Sequence, residues 1–141
     1  MKTRTRILIP LAAALLLAAV MLPGASAAGR GKTLTTDLFS SFHGFVLCGV
    51  NIQQLGGVTC SSPALPHTEL DGFALLRKHG TTKLGERGDS PFIENGTRGT
   101  LKKGNRWARV GIVCVRKPKA VRCHNQDGHG IRLTPKSFKV F

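Results

Sequence analysis

The residues best suited to acid–base chemistry stand close together near the C-terminus of the chain. His124 and His129 flank Asp127 in the stretch Cys-His-Asn-Gln-Asp-Gly-His-Gly. Imidazole and carboxylate groups move protons at neutral pH, so this segment could serve a small hydrolase acting on a polyanion such as RNA. Arg122 or Arg132 would then stabilise the phosphoryl group electrostatically. Asp-Gly is also a strong turn signal, and a turn or packing role for His129 is the interpretation that we favour.

Other catalytic signatures are missing from the sequence. The chain contains no G-x-S-x-G, no H-E-x-x-H, no phosphate-binding glycine loop and no evident pair of carboxylates for glycoside cleavage. No motif implies a cofactor, so we expect none. The sequence therefore favours a binding protein over an enzyme.

Four cysteines supply the other reactive side chains. Their spacing contains no C-x-x-C, which disfavours a zinc site. The N-terminal pattern described below predicts export, and an even number of cysteines in an exported protein predicts two disulfides. Three pairings are possible. We predict the two local ones because each pair brackets a polar turn between short stretches rich in β-formers. The predicted disulfides are Cys48–Cys60 and Cys114–Cys123.

Positive charge is the most distinctive chemical property of the chain, and it is unevenly distributed. The formal net charge is +14, from 21 Lys and Arg against 7 Asp and Glu. Residues 28–96 are balanced, with six basic and six acidic residues, whereas residues 97–141 hold twelve basic residues and one acid. Such an excess favours an anionic polymer, an anionic cell surface or nucleic acid as partner. The candidate anion-binding residues are Arg98, Lys102, Lys103, Arg106, Arg109, Arg116, Lys117, Lys119 and Arg122.

The elements that must position these residues are predicted to be β-strands. Short apolar stretches alternate with Gly- and Pro-rich turns, which indicates an all-β sandwich or a small barrel-like sheet built on two disulfide-clamped hairpins. The two hairpins resemble each other weakly, and each precedes an Asp-Gly turn, so either an internal duplication or two unrelated hairpins would fit. One short helix stays open, at residues 34–42 or 70–78. Trp107 is predicted to be a core residue, and the alternative is that it stacks on a base or sugar ring.

The first 27 residues have the pattern of a signal peptide. A basic start precedes an apolar run over residues 7–22 and an Ala-Ser-Ala cleavage site, and the run is short for a membrane span. We predict a cleaved signal peptide at residues 1–27, a lead-in segment at 28–42 and a single stapled domain at 43–141. The alternative is an uncleaved N-terminal anchor. The mature protein is expected to be secreted, without a membrane span, and is taken to be a monomer.

The C-terminal half carries a longer pattern. Trp107 stands seven residues before Cys114, and Val-Arg-Cys123-x-Asn-x-x-Gly-His-Gly-Ile-x-Leu follows. This ending resembles that of a group of small secreted actinobacterial proteins of unknown function, which often have an aromatic residue in place of Ile131. The front half, with Phe39-x-Ser-x-x-Gly-x-Val-x-Cys48, is similar to theirs as well. The resemblance implies export, disulfides and a β-rich domain, and it implies no activity.

These observations lead to one expected function and two alternatives. We expect a non-enzymatic extracellular or cell-envelope module that binds an anionic partner. The first alternative is the hydrolase described above. The second is a secreted protein inhibitor that presents the turn Arg116-Lys117-Pro118-Lys119 from a rigid stapled hairpin.

Overall fold

The computed structural model describes residues 31–51, 56–88, 92 and 96–141. The predicted signal peptide, residues 1–27, lies outside the described residues. Within the described part, every regular element is a β-strand. The strands are β1 (Thr33–Leu34), β2 (Leu38–Ser41), β3 (Val46–Val50), β4 (Val58–Ser61), β5 (Asp71–Leu76), β6 (Lys83–Arg87), β7 (Arg98–Thr100), β8 (Arg106–Arg109), β9 (Ile112–Arg116), β10 (Val121–His124), β11 (Gly130–Leu133) and β12 (Phe138–Val140).

The strands form two mixed sheets of six. The N-terminal sheet has the order β6-β5-β4-β3-β2-β7, and the C-terminal sheet has the order β1-β8-β9-β10-β11-β12. The sheets pack face to face around one apolar cluster to which both contribute, so the prediction of an all-β sandwich is confirmed and the barrel-like alternative is not formed. Residues 31–42 of the predicted lead-in segment supply one strand to each sheet.

The short helix that the sequence allowed forms at neither position, so this prediction is wrong. Residues 38–41 form β2, and residues 71–76 form β5. Phe39 in β2 points into the core, while Ala74 and Leu76 do so in β5. Because β2 lies between β3 and β7, and β5 lies between β4 and β6, both segments bond to strands on both sides, which a helix could not do.

The topology repeats with an exchange of strands. Strands β2–β6 and β8–β12 are each an antiparallel meander of five strands. The short strand that precedes each meander in the chain joins the other meander: β1 lies parallel to β8, and β7 lies parallel to β2. The inward rows match one to one, because Phe39, Cys48 and Cys60 in one half occupy the places of Trp107, Cys114 and Cys123 in the other. The two halves therefore have the same architecture, as the duplication hypothesis predicts.

The matching residues meet at the centre of the molecule. The Phe39 and Trp107 rings lie 5.2 Å apart between centroids and both side chains are fully buried. The indole Nε1–H of Trp107 donates to the Thr36 carbonyl at 2.7 Å, so its polar atom is satisfied. The core role predicted for Trp107 is confirmed.

Both predicted disulfides are present. Cys48 is bonded to Cys60 across β3 and β4, and Cys114 to Cys123 across β9 and β10, with each pair directly opposite in its hairpin. Closing loops of 12 and 9 residues restricts the unfolded chain and contributes about 2–3 kcal/mol for each bridge. The bridges tie together the two central strands of each six-stranded sheet.

Candidate anion-binding surface

The outward residues of the C-terminal sheet form a line of cations. Strand register places Arg106, Val115, Arg122, Arg132 and Lys139 directly opposite one another on β8 to β12. All four charged members are exposed. With about 4.8 Å between neighbouring strands, the line spans about 19 Å. We call Arg106, Arg122, Arg132 and Lys139 the cationic row.

The corresponding line in the N-terminal sheet is uncharged and buried, except at its last member. The repeat matches the cationic row with Leu38, Thr59, Leu75 and Lys83, of which the first three are buried. Gly49 in the same line has Phe92 against it. The N-terminal half thus buries this outer line as far as Leu75 and exposes one cation, Lys83, whereas the C-terminal half exposes four cations.

The cationic row has no acidic neighbours on its own sheet. Strands β8 to β12 contain no Asp or Glu at any position. Arg122 and Arg132 are opposite each other, and Arg132 is opposite Lys139. Directly opposed like charges destabilise a sheet, so this arrangement costs folding stability. An anion lying along the row would remove this repulsion.

Next to the row lies a cleft with a histidine, and an aromatic ring is close by. Arg122 stacks on the Phe141 ring, with 4.4 Å from the guanidinium carbon to the ring centroid. His124 lies two residues from Arg122 on the same face, and both line a cleft of 310 Å³ together with Lys117. Stacking of this kind positions the guanidinium while its N–H groups stay available.

A second group of predicted cations lies at one end of the sandwich. Lys102 and Lys103 follow β7, and Arg116 ends β9, where a cleft of 480 Å³ brings the three together beside Phe42 and His43. We call this cleft the loop-end pocket. Lys117 and Lys119 are exposed on the adjoining β9–β10 turn. The predicted inhibitor turn, residues 116–119, is therefore this same corner of the molecule.

Two predicted anion-binding residues lie away from both places. Arg98 belongs to β7, at the edge of the N-terminal sheet. The Arg109 guanidinium donates to the Asp37 carboxylate at 2.9 Å and to the Thr35 carbonyl. A hydrogen bond from the Thr97 hydroxyl, with others from the Thr97 amide and Arg109, lowers the pKa of Asp37. Arg109 is thus engaged in joining the chain before β2 to the second half.

The Asp127 carboxylate does not hydrogen-bond to either candidate catalytic histidine, although it interacts electrostatically with His129. The Asp127 carboxylate accepts from the Gly80 amide at 2.7 Å and contacts Nδ1 of His79 at 3.0 Å. Neither the His124 ring nor the His129 ring has a hydrogen-bond partner among the described residues, whereas the His129 carbonyl accepts from the amide of Asn125. The pairing of Asp127 with His79 joins the two sheets and was not foreseen from the sequence.

Asn125 is the centre of this connection. It is buried, and its side-chain nitrogen donates to the carbonyls of Arg77 at 3.1 Å and Gly80 at 2.7 Å. Its side-chain oxygen accepts from the Asp127 amide. The segment containing Asn125 and Asp127 therefore fastens the β10–β11 turn of one sheet onto the β5–β6 turn of the other.

We expect Asn125→Ala to lower the free energy of unfolding by about 2–4 kcal/mol, because two carbonyls lose their donor in a buried site. Denaturant unfolding monitored by circular dichroism measures this. Gln126→Ala is the matched control, since Gln126 is exposed and its described bond is made by the backbone. Equal stability of the two variants would contradict the fastening role.

Asp127 should make stability depend on acid pH. A hydrogen bond from the Gly80 amide, followed by one from His79, lowers the pKa of Asp127 below its usual 3.8. A lowered folded pKa contributes stability that is complete above the unfolded pKa and is lost as the pH falls through the folded value. The free energy of unfolding, measured from pH 7 downwards, should therefore fall below about pH 4. In Asp127→Asn this free energy should fall less steeply below about pH 4, and it should be lower than the parent's at pH 7. An acid dependence identical to the parent's would refute this.

The cysteine sulfurs come close together, but as disulfides. Sγ atoms of Cys48, Cys60 and Cys123 lie within 4.8 Å of one another in the core. All four cysteines are bonded in the two bridges, so no thiolate is left to ligate a metal ion. The two bridges instead pack on each other between the sheets.

Comparisons with known proteins identify no family for the chain. No protein-family model, no curated protein and no solved structure matches the chain. Among the described residues, no helix has the length and apolar character needed to span a membrane. Two disulfides indicate that the protein folds in an oxidising environment.

Two members of the cationic row were not among the sequence-based candidates for anion binding. The sequence gives Arg132 a role only in the hydrolase alternative, and it gives Lys139 no role. The signal available was alternation: in Gly-Ile-Arg-Leu and Phe-Lys-Val each cation stands between two apolar residues, as expected on the outer face of a half-buried strand. Counting dense clusters of charge missed them, because a sheet brings together residues that are far apart in sequence.

Proposed function

We propose that the protein is a secreted module that binds a linear anionic polymer across the outer face of its C-terminal sheet. The cationic row carries this proposal: four exposed cations stand in register over five strands with no acid in those strands. Three of the four are arginines, which can bind phosphate or carboxylate with two parallel hydrogen bonds. A polymer can contact all of them in succession, which a small anion cannot.

Export is part of the proposal. The signal-peptide pattern at residues 1–27 and the two disulfides support a secreted protein. The resemblance to small secreted actinobacterial proteins with four cysteines points the same way. Outside the cell, the available polyanions are polymers of the envelope and nucleic acid released from cells, and both present repeated negative charge.

Retention on immobilised long-chain polyphosphate tests the proposal. We expect the mature protein to bind at about 50 mM salt and to be released largely by about 200 mM, because each neutralised phosphate frees a counterion. Retention that does not change over this range would indicate apolar adsorption and contradict the proposal. Failure to bind at the lower salt would contradict it as well.

A further inference from the structure

The β2–β3 loop differs from its counterpart in the repeat. Four residues, 42–45, join β2 to β3, whereas two residues, Val110 and Gly111, join β8 to β9. Phe42 and His43 both adopt the left-handed backbone conformation, with φ of 54° and 58°. This conformation is unfavourable for residues other than glycine and is concentrated at functional sites. The loop thus carries two extra residues at the mouth of the loop-end pocket, whereas positive φ is shared with the counterpart turn, where Val110 has a φ of 45°.

Arg116 is the second departure from the repeat. It follows Cys114 by two residues, and the matching position after Cys48 is Val50, which is buried. The Arg116 guanidinium lies 3.4 Å over the Phe42 ring and donates to the Lys117 carbonyl. None of the ion pairs between described residues includes Arg116. Burial lowers the pKa of Arg116, which is the expected effect of removing a cation from water without supplying an anion.

The pocket gathers further groups suited to an oxyanion. Lys102 and Lys103 line it together with Arg116, and Ser40 and Thr100 add hydroxyls. None of the described residues that line it is acidic. Three cations that line one cleft favour a ligand group with more than one negative charge. A terminal phosphate carries about 1.5 to 2 negative charges at pH 7, more than the single charge of a phosphodiester.

We propose that the loop-end pocket binds a phosphate monoester, with Arg116, Lys102 and Lys103 around the phosphate. The site is separate from the cationic row, which accounts for the internal charges of a polymer. Phe42 orients Arg116 by stacking, and the strained turn at Phe42 and His43 places the ring beneath the guanidinium. A phosphorylated chain end or a small organic phosphate supplies the same group.

Titration of the mature protein with phenyl phosphate, followed by amide chemical shifts, tests this proposal. Shifts should be largest at residues 42–44, 102–103 and 116. Dimethyl phosphate, a monoanionic diester, should bind at least about tenfold more weakly because it carries less charge. Arg116→Gln should weaken phenyl phosphate binding about tenfold or more, and Lys103→Gln several-fold. Lys136→Gln removes an exposed charge that does not line the pocket, and it should leave the affinity unchanged.

Several outcomes would overturn the monoester site. These are equal affinity for dimethyl phosphate, shifts confined to β8–β12, no binding, or full affinity in both Arg116→Gln and Lys103→Gln. Lys103 is exposed, so its variant keeps the test valid if Arg116→Gln fails to fold. A 5′-phosphorylated dithymidine, compared with its unphosphorylated form, distinguishes a polymer end from a small phosphate. If the protein binds the phosphorylated dithymidine more tightly than phenyl phosphate, the ligand is a chain end. The double variant Arg122→Gln/Arg132→Gln should keep phenyl phosphate binding, which separates this site from the cationic row.

Discussion

Trp107→Ala is expected to lower the free energy of unfolding by about 3–5 kcal/mol, a large share of the stability of a domain this size. The side chain is fully buried, its ring packs on Phe39, and its N–H satisfies the Thr36 carbonyl. Removing it leaves a cavity at the meeting point of the two halves and an unpaired carbonyl. Equilibrium denaturation followed by far-ultraviolet circular dichroism measures the loss.

Two further variants separate packing from hydrogen bonding. Trp107→Phe keeps a ring in the cavity and loses the donor to Thr36, so the loss should be smaller, about 1–3 kcal/mol. Phe39→Ala empties the equivalent place in the other half and should cost about as much as Trp107→Ala. If Trp107→Ala stays within about 1 kcal/mol of the parent, the central packing described above is wrong.

Arg122→Gln/Arg132→Gln should weaken binding of a twelve-residue thymidine oligonucleotide about 10- to 100-fold at about 50 mM salt. The oligonucleotide serves as a flexible polymer of defined charge. Each phosphate contact with a single strand contributes about 0.7 to the slope of log affinity against log salt. The parent, with four contacts, should show a slope near −3, and the double variant a slope less steep by about 1.4.

The control for this experiment removes the same charge elsewhere. Lys83 and Arg98 are exposed cations of the N-terminal sheet, so Lys83→Gln/Arg98→Gln changes the net charge equally. This variant should retain nearly the parent's affinity and slope. Equal losses in the two double variants would mean that net charge attracts the polymer and that no particular face binds it.

Local signals in the sequence were sufficient for the hairpins. A polar turn between two β-rich stretches, with one cysteine on each, constrains the pairing because the strands place those cysteines opposite each other. The Asp-Gly signal was right at Asp127, where Gly128 has a positive φ, and wrong at Asp71, which begins β5. Gly72 lies inside that strand. Glycine is required there because a Cβ would lie 2.3 Å from the Pro66 carbonyl oxygen, a constraint that only the fold reveals.

Long-range pairing was beyond local signals. The two parallel strands, β1 and β7, are short and join the sheet formed by the other half, so nothing near them in sequence specifies their partners. The same applies to His79 and Asp127, which are 48 residues apart. Clusters of charge in the sequence correctly pointed to the C-terminal half, yet the cationic row takes its members from four strands and became visible with the register.

Mapping the oligonucleotide onto the protein by amide chemical shifts is the most direct test of the anion-binding surface. We expect the largest shifts at Arg106, Arg122, Arg132 and Lys139 and their strand neighbours, with little change at Leu38, Thr59 and Leu75 on the matching line of the other sheet. All shifts should disappear together as salt is raised. Shifts concentrated on the N-terminal sheet, or spread evenly over both sheets, would contradict the account.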